Sequence, residues 1–168
     1  EQTERMSGIG GFCHGAYWFL VPDWEEANDL TIGALELLGV VINLLTFADR
    51  LQALVSHNPN ARIVLRTDAL TSALTLPSET QNSPVFVAIY QWLRAHPLFQ
   101  LLAPNILVAH YFGEANAFAD AISRLKWKEF HSRCAQIRVR PYQVELHPDY
   151  RQAVEVGLAA ARLLRRRA

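Results

Sequence analysis

Short apolar runs alternate with one long, almost uniformly apolar segment, and that alternation predicts the elements. Gly8 to Gly15 reads as a glycine-rich strand, and Ala16 to Val21 as an aromatic-rich strand that Pro22 ends. Together they predict a hairpin whose glycines permit close backbone approach or a bulge, with His14 at a strand end. A helix is expected from a cap at Asp29 or Thr31 to about Leu54, apolar almost all round and therefore largely buried. Its polar exceptions, Asp29, Glu36, Asn43 and Arg50, recur every seven residues and form one stripe. Either that stripe faces solvent, or Glu36, set among Ala34, Leu35, Leu37 and Leu38, turns toward a sheet edge.

Arg62 to Asp68 predicts a strand ending on a carboxylate, the end at which open α/β sheets place their sites. Ala69 to Leu74 is expected to start a short helix. Pro84 suits a first helical position, and Val85 to His96 is amphipathic, with Val85, Ala88, Ile89, Trp92 and Leu93 along one side. Pro97 interrupts it, Leu98 to Leu102 continues apolar, and Asn105 to Ala109 is the last strand. A polar turn holding His110 leads into a helix whose buried side is Ala117, Phe118, Ala121, Ile122 and Leu125. Asn116 and Asp120 are four apart and share a face near that helix's start. Lys126 to Ile137 is a basic helical segment, Pro141 and Pro148 mark a linker, and Asp149 to Arg167 is a final helix with a polybasic end.

The 168 residues suffice for one domain with a sizeable core, and 51% hydrophobic with 19% charged residues is an ordinary globular balance. No apolar run is long and charge-free enough to span a bilayer; Leu35 to Phe47 contains Glu36 and Asn43 and reads as a buried helix, so no membrane partner is expected. No signal-peptide pattern is visible. The first residue is Glu1 rather than Met, so a piece of a longer product is expected. Cys13 and Cys134 match no zinc spacing and are expected as reduced thiols, which suits an intracellular setting, cytoplasm or nucleus. The glycine-rich start has neither a Gly-Lys-Ser/Thr phosphate loop nor a dinucleotide fingerprint. Net charge is zero but polarised: residues 1–84 hold 4 Lys/Arg against 10 Asp/Glu, and residues 85–168 hold 12 against 6. This is compatible with an acidic metal site beside a phosphate-contacting surface. For the C-terminal tail alone, a solubilising, frayed basic end is the favoured reading.

Three stretches carry a resemblance. Thr-Ile-Gly-Ala-Leu-Glu-Leu-Leu, then Leu-Arg-Thr-Asp-Ala, then His-x-x-Gly-x-x-Asn-x-x-Ala-Asp-x-x-Ser-Arg occur in that order. With the Gly-Ile-Gly-Gly-Phe-Cys-His-Gly hairpin, they resemble the ribonuclease H domain of a retroelement reverse transcriptase. Within that family the tyrosine-recombinase retrotransposons of the DIRS/Ngaro type are most similar. The resemblance covers about residues 8–134, and its last motif is the most specific. It implies an α/β, ribonuclease H-like fold: a mixed sheet of an antiparallel meander plus parallel strands, with helices on both faces. Residues 1–137 would form that domain, and 138–168 a linker and basic helix.

The resemblance also implies hydrolysis of the RNA strand of RNA–DNA hybrids with two magnesium ions, manganese being a possible substitute, held about 4 Å apart by carboxylates. Glu36, Asp68 and Asp120 match three of the family's metal ligands. His110 matches a loop histidine that assists proton transfer or product release, and Asn116 a residue on the substrate backbone. Ser123 and Arg124 belong to the same motif, as structural or phosphate-facing groups. The partners implied are the hybrid and the polymerase and recombinase domains of one polyprotein. The departure is at the front: the family's first Asp precedes the glycine-rich hairpin, whereas only Glu1 and Glu4 precede Gly8. The first strand is therefore expected to be missing from this stretch. The alternative is a catalytically dead module that binds nucleic acid or spaces polymerase from recombinase.

Overall fold

The computed structural model describes residues 8–23, 28–67, 83–110 and 117–168. The chain opens with an antiparallel hairpin, β1 (Ile9–Cys13) and β2 (Ala16–Leu20), in register from Ile9↔Leu20 to Cys13↔Ala16. His14 and Gly15 make its turn at φ 47° and 90°. Two positive φ values are what a two-residue type I′ hairpin needs, and histidine tolerates that backbone better than most residues.

α1 (Ile32–Thr46) is the central helix. Thr31, not Asp29, caps it, accepting from the Ala34 N–H at 3.2 Å. Leu37, Val41 and Ile42 are fully buried, and the core around them takes Ile9 and Trp18 from the hairpin and Leu65 from the strand that follows. The single helix expected to Leu54 is two helices. The chain bends by 60° at Phe47, and α2 (Ala48–His57) runs on from there. No Gly or Pro marks the break. Buried Phe47 sits at it, and the new direction lets Ala48 and Leu51 pack with Leu98 and Leu102. Among the described residues no single helix is long and apolar enough to cross a membrane.

β3 (Ile63–Thr67) pairs in parallel with β4 (Ile106–His110), Ile63↔Ile106 through Thr67↔His110. Between them come α3 (Pro84–Ala95), capped by Ser83 with Pro84 in its first turn, α4 (Pro97–Leu102) and a 3-10 turn, Ala103–Asn105. Asn105 is the buried polar side chain that aligns the ladder. Its amide donates to the carbonyls of Pro59 and Ala61, both at 2.9 Å, tying the approach to β3 to the start of β4.

α5 (Ala117–Ser123) and α6 (Trp127–Gln136) cover the hairpin's other face. There Phe12, Phe118, Phe130, Tyr17 and Trp127 form an aromatic layer, with Phe12 stacked on Phe118 at 4.7 Å. β5 (Tyr142–Gln143) adds in parallel to β2, and α7 (Tyr150–Arg167) closes the chain. α7 is more than a tail. It buries Ala153, Gly157, Leu158 and Ala161 against α3 and α1, and the residue-157 glycine lets Ile89 approach.

The result is a small α/β domain with mixed parallel and antiparallel strands flanked by helices. Among the described residues the strands form two separate ladders, β1–β2–β5 and β3–β4. The one mixed sheet expected from the sequence is thus seen in two parts. The helix expected from Ala69 lies outside the described residues.

Candidate metal centre

β1 is the strand on which two of the expected carboxylate-bearing helices meet. Successive residues of a strand face opposite sides, and here Gly10 faces α5 while Gly11 faces α1. A Cβ at Gly10 would run into Ile122, and one at Gly11 into Asn43 and Trp18. The paired glycines therefore buy close approach from both sides, the role that the sequence allowed them. Glu36 is half-buried on α1, and Asp120 is exposed in the first turn of α5. Because their helices lie on opposite faces of β1, the two carboxylates can share a site only around an edge or an end of the sheet.

The parallel ladder supplies strand ends of the right kind. Thr67 and His110 are register partners at the carboxyl ends of β3 and β4, and Asp68 follows Thr67 in the chain. Asp68, Asn116 and the side chain of His110 lie outside the described residues. Among the described residues no three His, Cys, Asp or Glu side chains converge. The expected donor set is all carboxylate oxygen, the chemistry magnesium prefers, and Asp120 is open to solvent, so the residues fit that ion by type.

Asp120 is engaged along its own helix. Arg124 Nε donates to its Oδ1 at 3.0 Å, an i,i+4 pair with side chains 42% and 53% exposed. Such a pair contributes only about 0.3–0.5 kcal/mol, which leaves the carboxylate easily recruited by a stronger cation. Ser123 Oγ donates to the Asp120 carbonyl at 2.9 Å, a bond that closes the end of α5. Ser123 and Arg124 thus serve the helix itself in this structure.

The polar stripe is engaged by other elements, with Asn43 half-buried and Arg50 exposed. Asn43 Oδ1 accepts from Trp18 Nε1 at 2.8 Å. Arg50 donates to the Tyr142 hydroxyl and lies over its ring, and Asp29 pairs with Arg165. Three of the four polar positions therefore fasten β2, β5 and α7 to the central helix region. Asn43 was legible as a polar residue in an apolar run; its partner was not.

One titratable cluster went unnoticed in the sequence. His96 Nδ1 accepts from the Leu98 N–H at 3.2 Å, which places the ring proton on Nε2, and Nε2 meets Asp149 Oδ2 at 2.8 Å. This bond fastens the start of α7 to the α3–α4 junction. The fifty-three residues separating the pair leave no spacing signal. Burial pushes both thiols up: Cys13, where Arg50 partly opposes the shift, and Cys134. Both cysteines are free, and neither has the electropositive, open setting of a reactive thiol.

No protein-family model, no curated protein and no solved structure matches this chain.

Proposed function

We propose that this chain belongs to a ribonuclease H domain of a retroelement reverse transcriptase, cutting the RNA strand of RNA–DNA hybrids. The observation that carries the reading is the arrangement of backbone elements. Helices bearing Glu36 and Asp120 pack on opposite faces of β1, and a parallel ladder brings the ends leading to Asp68 and bearing His110 side by side. A helix Glu, a strand-end Asp, a strand-end His and a helix-start Asp in that order are the elements the family combines. On this reading a further strand joins the edges of β1 and β3 that are unpaired among the described residues, merging the two ladders into one sheet of six strands, the short β5 included. The core shared by Ile9, Trp18 and Leu65 on α1, beneath both ladders, supports that completion.

Magnesium, when bound, supplies an activated water and neutralises charge on the leaving oxygen. The chain's own residues have simpler tasks. Glu36, Asp68 and Asp120 present oxygen donors. Arg124 holds the Asp120 carboxylate in place until it is needed. His110, at the end of β4, exchanges a proton at the site's mouth. Asn116 contacts the substrate backbone.

The test is cleavage of a hybrid labelled on its RNA strand by the parent protein in magnesium, then in manganese. Wild type is expected to cut the RNA and Asp68→Asn to lose cutting entirely while retaining binding. Unchanged cleavage by Asp68→Asn overturns the assignment. A wild-type protein that binds hybrid and cuts nothing establishes instead the alternative, a nucleic-acid-binding or spacing module.

A further inference from the structure

From Arg124 to Arg140 the chain carries six Lys/Arg and one acid, Glu129. Not all of that charge is available. Arg124 is held by Asp120, and Arg133 by Glu129 at 3.2 Å. Lys128, Arg138 and Arg140 are exposed and make no ion pair among the described residues. Lys128 is on α6 and the two arginines follow its end; Phe130 and Cys134 are fully buried under the hairpin, and Lys128, Ser132 and Gln136 are exposed on the side away from them.

Arg138 has a second peculiarity. α6 ends in a Schellman turn, with the Val139 N–H on the Cys134 carbonyl at 2.9 Å and the Arg138 N–H on that of Ala135 at 3.0 Å. Arg138 occupies the left-handed position of that turn at φ 56°, where glycine is the residue the backbone favours. Leu125 takes the same position at φ 56° where α5 ends, so what sets Arg138 apart is its exposed charge with no ion pair among the described residues.

We infer that Lys128, Arg138 and Arg140 form a phosphate-contacting surface that grips a nucleic-acid strand beyond the C-terminal end of α5, the helix that carries Asp120. At 1.5 Å per helical residue, Lys128 and Arg138 stand about 15 Å apart, the rise of about four nucleotides. The patch begins eight residues after Asp120, on the helix that follows α5, so a strand leaving that residue passes along α6. A nucleic acid is favoured over a lipid surface because Phe130 and Cys134 are committed to the core, and an exposed Ile137 beside Arg138 falls far short of the apolar face that an interfacial helix inserts. As an outlying grip on the hybrid this rests on the function proposed above, but its test does not require cleavage.

The experiment measures anisotropy of a fluorescent RNA–DNA hybrid titrated with the parent protein in EDTA across a salt series. The variant combines Lys128→Ala, Arg138→Gly and Arg140→Ala, with melting temperature confirming that it folds; glycine at position 138 suits the turn. Binding is expected to weaken roughly tenfold or more, and the slope of log affinity against log salt to fall by about 2 to 3. Equal removal of charge at Arg162, Arg166 and Arg167 serves as the comparison and is expected to change binding less. Unchanged affinity in the first variant, or equal weakening by the second, overturns the inference. So does loss of binding to phosphatidylserine vesicles with hybrid binding intact. If wild type cuts hybrid and the variant binds normally, only the surface is wrong. If wild type never cuts and the variant loses binding, the surface stands without the nuclease.

Discussion

Asn105 is the residue on which alignment of the parallel ladder most directly depends. Its amide is 7% exposed and donates two hydrogen bonds of 2.9 Å to the Pro59 and Ala61 carbonyls. Replacing it with alanine removes both. Each neutral hydrogen bond contributes about 1 kcal/mol net, and a buried partner left unsatisfied costs somewhat more. Pro59 is exposed and Ala61 half-buried, so water can recover part of the loss. Asn105→Ala should therefore destabilise by about 2 kcal/mol. In a domain of this size that corresponds to a fall in Tm of about 4–8 °C. Urea unfolding followed by tryptophan fluorescence measures it, and the midpoint should move with the slope unchanged. Asn105→Asp keeps the shape but aims a carboxylate at two carbonyl oxygens, so at neutral pH it should cost more than alanine. An alanine variant within about 0.5 kcal/mol of wild type, the range of an ordinary surface change, would refute the reasoning. So would an aspartate variant more stable than alanine.

The close approach of α5 to β1 predicts that Gly10→Ala costs about 1–3 kcal/mol by overpacking against Ile122, read as a lowered urea midpoint; Gly33→Ala, whose Cβ would meet nothing within 4 Å, should not destabilise. Trp18→Phe removes the donor to Asn43 Oδ1 and should cost about 1–3 kcal/mol; rescue by a simultaneous Asn43→Leu would show that the unsatisfied oxygen carries the loss. Both thiols are raised from an ordinary value near 9 by burial. The unfolded chain therefore ionises first. Their contribution to stability is whole below pH 9 and falls as pH rises past it. Alkylation of the native protein at pH 8 should be slow at both cysteines and quicken on unfolding; a fast native reaction at Cys134 would contradict its burial.

Much of the fold was legible locally. Hairpin, strand and most helix positions follow from period and turn residues, the start of α1 was narrowed to Asp29 or Thr31 by cap chemistry, and that of α3 was marked by Pro84. The break at Phe47 was not legible, because no residue there forbids a straight helix and the bend is set by what α2 packs against. β5 escaped notice for a similar reason. Two residues carry no periodicity, and only pairing with Ala16 and Tyr17 makes Tyr142 and Gln143 a strand. For the candidate site, the sequence named Glu36, Asp68 and Asp120 through motif order, while helix placement on either face of β1 limits where two of them can meet.

By itself the sequence determined most of the helix and strand segments, the break at Phe47 and β5 excepted, which side of the amphipathic ones is apolar, and which groups can bind a hard cation. Those properties depend on neighbours within a few residues. Tertiary structure decided the rest: that Asp29, Asn43 and Arg50 of the stripe fasten other elements, that α7 joins the core, and that Lys128, Arg138 and Arg140 make no ion pair among the described residues. Each turns on a partner far along the chain, or on the lack of one among the described residues, and neither has a local signature.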